Sequence, residues 1–242
     1  MTIGKTVLIT GANKGIGYET ARQLGGMGYT ILIGSRNEQS GREAVAKLAN
    51  EGVEARLILL DLTNQSTIDS AVHQIKQKSG SLDVLINNAG ISLGGATPPS
   101  QFSLNDLRET YETNFFGLVA VTQAMLPLLQ ESPCGRIVNL SSGLGSLTYN
   151  SDPEHEHAQF NLLAYNSSKA AVNMFTVTLA KEFKDSPLKI NSADPGFTAT
   201  DLNGFTGPGS VQQAAAVVVR LATLNNDGPS GGFFDSNGEV PW

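Results

Sequence analysis

Short runs of β-branched residues and leucine recur at Thr6 to Thr10, Tyr29 to Ile33, Ala55 to Leu60, Leu82 to Ile86, Arg136 to Leu140 and Lys189 to Ser192. The longer segments between them have helical spacing: Val45, Leu48 and Ala49 share one face of 37–50, and Ile68, Ala71, Val72 and Ile75 one face of 67–78. Strand alternating with helix implies a parallel sheet, because the return path between parallel strands needs a crossover about as long as a helix. Runs such as Val84-Leu85-Ile86 are apolar without alternation, as strands covered by helices on both faces are. Ser103, with Asp106 three residues on, reads as the start of a long helix, and Ser210 as the cap of a helix running to Leu224. No linker, repeat or low-complexity segment divides the 242 residues, so one α/β domain is expected, with Met1 as its start.

Sixteen Lys and Arg against 22 Asp and Glu give a net charge of −6, and the cations are scattered, which argues against nucleic acid or an anionic membrane as partner. No apolar run approaches the ~18 residues of a membrane span. The start, Val7-Leu8-Ile9 leading into glycine, lacks the pattern of a signal peptide. With Cys134 the only cysteine, no internal disulfide is possible; a reducing compartment fits, and the expected location is cytoplasmic. Asp152-Pro153-Glu154-His155-Glu156-His157 offers imidazoles and carboxylates, but alternate residues of an acidic loop rarely converge, so no metal site is expected. His73 is expected at the surface and Cys134 in a structural role.

In an open parallel sheet, ligands bind beyond the carboxyl ends of the strands, where strand order reverses. After the first strand comes Thr10-Gly11-Ala12-Asn13-Lys14-Gly15-Ile16-Gly17, leading into a helix. The glycine spacing alone is a weak signal. Its position between strand one and helix one makes it strong, because backbone N–H groups and the positive helix end meet there, where a pyrophosphate can approach if side chains are absent. The architecture is therefore read as a single-domain Rossmann-type doubly wound parallel sheet with helices on both faces. At the end of strand two an acid would bind the adenine ribose 2′-hydroxyl. This chain has Gly34-Ser35-Arg36-Asn37, with no carboxylate to repel a 2′-phosphate and a guanidinium to grip it. Lys14 adds a second cation, and both favour NADP.

These residues resemble the short-chain dehydrogenase/reductase family in its single-domain subtype. Thr10-Gly11-x-x-x-Gly15-Ile16-Gly17 is similar to its cofactor turn, Asp61 to its adenine-side acid, Asn87-Asn88-Ala89-Gly90 to its fourth-strand motif and Tyr165-x-x-x-Lys169 to its active site. Asn114, Ser142 and Pro195-Gly196 fall in matching order. The segments 200–204 and 226–234 look like the carbonyl-reductase-like branch. The resemblance implies that Tyr165 protonates a carbonyl oxygen, Ser142 hydrogen-bonds the same oxygen, Lys169 holds the nicotinamide ribose, and Asn114 positions a water that relays protons to Lys169. It implies a cofactor surface of Gly11, Asn13, Lys14, Gly15, Ile16, Gly17, Ser35, Arg36, Asp61, Leu62, Asn88, Ala89, Gly90, Tyr165, Lys169, Pro195, Gly196, Thr198 and Thr200.

Tyr165 and Lys169 are four apart on a helix and share a face. Bringing a tyrosine from its reference pKa of ~10 toward ~7 requires roughly 4 kcal/mol of preference for the anion. A cation ~4 Å away at an effective dielectric of ~20 supplies about that much, so Lys169 is expected to lower the tyrosine. The function expected is reduction of ketones or aldehydes by NADPH, reversibly an alcohol dehydrogenase. Reduction of 3-oxoacyl thioesters is the alternative within the class, and a catalytically silent NADP-binding sensor or scaffold the alternative outside it. Leu93, Leu144, Tyr149, Phe160, Phe197 and Leu202, on the loops 91–101, 143–163 and 197–209, point to an uncharged, moderately apolar small-molecule carbonyl or alcohol. The 23-residue separation of Ser142 from Tyr165 signals an insertion, expected to give a monomer with a partly lidded pocket.

Overall fold

The computed structural model describes residues 4–242; Met1, read as the domain's start, lies outside them. Strands β1 (Thr6–Thr10), β2 (Thr30–Ser35), β3 (Ala55–Leu59), β4 (Val84–Asn87), β5 (Arg136–Leu140), β6 (Lys189–Ala193) and β7 (Phe233–Phe234) form one parallel sheet in the order β3-β2-β1-β4-β5-β6-β7. The helices are α1 (Gly15–Gly26), α2 (Glu38–Asn50), α3 (Gln65–Ser79), α4 (Leu104–Tyr111), α5 (Leu118–Gln130), α6 (Leu147–Ser151), α7 (Leu163–Glu182) and α8 (Val211–Ala222). Order reverses between β1 and β4, which pair through Val7 with Val84 and Ile9 with Ile86, so the crevice opens between the loops that follow these two strands.

Successive side chains of the inner strands enter opposite cores. Val7, Ile9, Ile31, Ile33, Ile86 and Val138 pack with Leu24 of α1, Leu48 of α2 and Val218 of α8. Leu8, Leu32, Leu85, Ile137 and Ile190 pack with Ile75 of α3, Met125 of α5 and Leu179 of α7. Burial on both faces is the reason these strands carry no polar alternation. The expected caps are present: Ser103 Oγ accepts from Asp106 N at 3.3 Å, and Ser210 forms a capping box with Gln213. His73 is exposed and bonds Gln77, and Cys134 is half-buried and free. Among the described residues, no helix is long and apolar enough to cross a membrane.

The helix expected to run on from Ser103 is interrupted. Glu112–Gly117 form a π-helical turn between α4 and α5. Gly117 is needed there, since a Cβ would come within 2.6 Å of Leu62.

One buried cation holds the far end of the sheet. Arg136, at the start of β5, donates to Leu224 O at 2.9 and 2.7 Å, Pro187 O at 3.1 Å and Asn226 Oδ1 at 2.8 Å. Burial pushes its pKa down. Arg136→Ala leaves these acceptors without their donor, and the expected cost is about 2–4 kcal/mol. At roughly 2–4 °C per kcal/mol for a chain of this size, thermal unfolding falls by about 5–15 °C. A shift of under about 2 °C in a melting curve contradicts this account.

Candidate active site

The glycine turn is built around its neighbours at the end of β4. Thr10 Oγ1 accepts from Asn88 N and Ala89 N, both at 3.0 Å, and Asn88 Nδ2 donates to Thr10 O at 2.8 Å and Gly11 O at 3.1 Å. A Cβ on Gly11 would lie 3.0 Å from Ala89, and one on Gly17 would lie 2.5 Å from Asn88 Nδ2. These two glycines therefore serve packing. Gly11 and Gly15 both take left-handed backbone, with φ +63 and +60, which favours glycine; Gly15 differs in that a Cβ there would meet only Thr200 Cγ2, at 3.8 Å. Helix α1 begins at this point without a side-chain cap and without an acid in its first turn. Free N–H groups, a positive helix end and a backbone free of side chains fit a dinucleotide pyrophosphate.

Around the turn, Asn13 Nδ2 reaches Ser40 Oγ at 3.2 Å, and Ser35 Oγ donates to Asn37 O at 2.8 Å. Arg36 is exposed and forms no ion pair among the described residues. Lys14 is paired: its Nζ lies 3.1 Å from Asp201 Oδ1. Asp61 Oδ1 accepts from Thr63 N at 3.0 Å, and Leu62 beside it is buried.

Ser142, Tyr165 and Lys169 meet beyond the ends of β5 and β4. Ser142 and Tyr165 are both half-buried, and the serine hydroxyl lies near enough to the phenol to favour its anion. Ser141 points away, its Oγ donating to Lys169 O at 3.3 Å, so of the two adjacent serines only Ser142 faces the tyrosine. Lys169 Nζ is buried, donates to Leu140 O at 2.7 Å and lies 5.5 Å from the Tyr165 ring centre. An ammonium has three donors, and this bond uses one. A Cβ on Gly90 would lie 3.6 Å from Lys169 Nζ and 3.4 Å from Asn114 Oδ1, so all three converge on one spot.

Asn114, in the π turn, uses both amide hydrogens, on Ile91 O at 2.9 Å and Ser168 Oγ at 3.0 Å, and accepts from Ile91 N at 2.8 Å. The side chain braces the loop after β4 against α7. One acceptor position on Oδ1, beside Gly90, is left over. Thr198 is similarly committed, its hydroxyl turned onto Pro195 O and Gly196 O, both at 3.2 Å. Gly196 has φ +72 and an open Cβ direction.

The expected lowering of Tyr165 does not occur in this geometry. Its phenol is pushed up to about 12 by burial, with the negative charge of Asp194 adding to the rise and the Ser142 hydroxyl opposing it. Lys169 is itself pushed down to about 8 by burial. Removing water weakens both ionic forms, and a cation 5.5 Å from the ring centre does not make up the loss.

Asp194 is the residue the sequence reading missed. The last position before Pro195-Gly196, it is buried; its carboxylate accepts from Gly196 N at 2.9 Å and lies against Gly143, where a Cβ would come within 2.8 Å of Oδ2. It thereby lies between the turn after β6 and the turn carrying Ser142, and burial raises its pKa. An acid at the carboxyl end of a strand, next to a Pro-Gly turn, was the available signal.

The inserted segment packs on the same side. His157 Nε2 would lie 2.4 Å from a Cβ on Gly143, Tyr149 stacks on His155 at 3.8 Å, and Phe160 lies 6.1 Å from Phe197. Leu104, Phe116 and Met174 on α4, the π turn and α7 remain 61%, 54% and 62% exposed. The insertion thus sits at the mouth of the site rather than over those helices, and gives no support to the expected monomer.

A model of the short chain dehydrogenase family matches residues 5–209. The chain is 34% identical to (−)-isopiperitenone reductase of Mentha piperita, over 96% of each chain. Salutaridine reductase from Papaver somniferum superposes with TM-score 0.83 and 30% identity, over 95% of this chain and 99% of that one. An NADPH-bound carbonyl reductase from chicken fatty liver superposes with TM-score 0.85 and 26% identity over the whole of both chains. Matched by the family model over residues 5–209 and by these relatives over nearly its whole length, the chain belongs to the short-chain dehydrogenase/reductase family.

Proposed function

We propose that this protein is an NADPH-dependent reductase of uncharged, moderately apolar ketones or aldehydes. The observation that carries the reading is the convergence of the Ser142 and Tyr165 hydroxyls, with Lys169 buried one turn along from Tyr165 on the same helix. The bound nicotinamide supplies a hydride to the carbonyl carbon. Tyr165 gives its proton to the carbonyl oxygen and Ser142 donates a hydrogen bond to that oxygen. The two unused donors of Lys169 suit ribose hydroxyls, and its charge stabilises the phenolate left behind. Pro195, Gly196, Thr198 and Thr200 lie on the turn that would hold the nicotinamide, and Asp194 fixes that turn through Gly196 N.

Exposed Phe160, Phe197, Leu202 and Phe205 give the mouth an apolar lining, which favours an uncharged carbonyl over a polyanion. The reductases named above act on the compounds in their names, and this agrees with a ketone as substrate here. NADPH is preferred because Arg36 is exposed and in no ion pair among the described residues, while Gly34-Ser35-Arg36-Asn37 at the end of β2 carries no acid. A bidentate charged contact there contributes roughly 1.5–3 kcal/mol, or about 10- to 100-fold. NADPH absorbance followed against ketones, aldehydes, quinones and 3-oxoacyl thioesters tests the reaction, and turnover of none of them contradicts it. Titration should show NADPH binding about 10- to 100-fold tighter than NADH, a ratio that Arg36→Asp narrows or reverses. Equal dissociation constants overturn the preference.

A further inference from the structure

Lys14 carries one positive charge, and the structure shows what claims it. Asp201 Oδ1 lies 3.1 Å from its Nζ, both side chains being half or more exposed. The aspartate sits in a turn tied closely to itself. Thr200 N donates to Asn203 Oδ1 at 3.2 Å; Asn203 Nδ2 donates to Thr198 O at 2.8 Å, and Phe205 N to Thr200 O at 2.9 Å. Gly204 and Phe205 both take left-handed backbone, with φ +61 and +62, a conformation that a phenylalanine rarely adopts. The base is pinned separately, by Ala199 N to Gly209 O and Gly209 N to Phe197 O, each 3.0 Å. Thr200 overhangs Gly15. One ion pair thus joins the tip of the turn bearing Leu202 and Phe205 to the glycine turn that fits the pyrophosphate.

We propose that Asp201 is a specificity-determining residue for the cofactor: its carboxylate competes with the 2′-phosphate for Lys14, and the phosphate, by taking Lys14, unties the 200–206 turn at the substrate mouth. The proposal rests on reading Lys14 and Arg36 as the phosphate site. An exposed carboxylate–ammonium pair is weak and screened by salt, whereas a phosphate monoester carries up to two charges and meets Arg36 as well. The phosphate wins the contest, but at a cost that NADH does not incur, since NADH leaves the pair in place. Asp201 therefore depresses affinity for NADPH alone and couples recognition of the phosphate to freedom of Leu202 and Phe205.

The test is fluorescence titration of NADPH and NADH against the parent chain, Asp201→Asn, Lys14→Met and the double variant. Asp201→Asn is expected to tighten NADPH by about 3- to 10-fold and to leave NADH within about twofold. In the Lys14→Met background the same change should give no gain. Amide exchange within 200–206 of the parent chain should be faster with NADPH bound than with NADH. A parent that prefers NADPH, with the NADPH to NADH ratio unchanged in Asp201→Asn, overturns this proposal alone. Equal affinities in the parent that Arg36→Asp does not alter overturn the NADPH reading, and this proposal with it.

Discussion

Tyr165→Phe is expected to reduce carbonyl turnover by about 10²- to 10⁴-fold, the range a positioned proton donor contributes, while leaving the NADPH dissociation constant within about twofold. The change removes one hydroxyl and keeps the ring, so the packing beside Lys169 survives. What disappears is the proton for the carbonyl oxygen and the hydroxyl that faces Ser142. Because that proton moves only as the reaction proceeds, the loss belongs in kcat rather than KM. Stopped-flow turnover alongside equilibrium titration of NADPH checks both halves. Turnover within a few-fold of the parent would remove Tyr165 from the mechanism.

The second large effect is an asymmetry between the two directions of reaction. With its pKa pushed up to about 12, Tyr165 holds its proton throughout the neutral range. Reduction uses the protonated phenol, so its kcat/KM should show no limb from Tyr165 between about pH 6 and pH 9. Alcohol oxidation needs the phenolate, whose fraction rises tenfold per pH unit below the pKa, so its rate should climb about 100-fold from pH 7 to pH 9. Lys169, pushed down to about 8, loses its charge over the upper part of that window, which trims the climb without reversing it. An oxidation rate that levels off near pH 7 would show the tyrosine lowered after all.

The difference from the sequence-based expectation has a definite cause. A lysine four residues from a tyrosine on a helix shares its face, and a charge pair at ~4 Å and a dielectric of ~20 balances the required shift. That estimate holds the ions' hydration constant. The fold removes water from Lys169 and places Asp194 near the phenol, and both act against the phenolate. Asn114 shows the same limit: its type and place were legible, but the commitment of its amide to Ile91 and Ser168 depends on contacts 23 and 54 residues away.

The inner strands were legible because burial on both faces writes short apolar runs without alternation, and Thr6–Thr10 and Arg136–Leu140 have the bounds those runs gave. Strand β7 was not, because Phe233–Phe234 is too short for any period and is a strand only by pairing with Ser192 and Ala193. The π turn left no trace either, since the apolar spacing on both sides of it remains helical.

The sequence by itself determined the alternating architecture, the glycine turn at the first strand, the absence of an acid after the second, and the Tyr165-Lys169 pair. Each of these is written in residues close together along the chain. Tertiary structure alone decided which of Gly11, Gly15 and Gly17 leaves room for a ligand, that Asp194 lies between two active-site turns, and that Asp201 takes the charge of Lys14 from 187 residues away. Steric clearance, desolvation and ion pairing depend on distance in space, and a linear pattern records that distance only where neighbours in space are also neighbours in sequence.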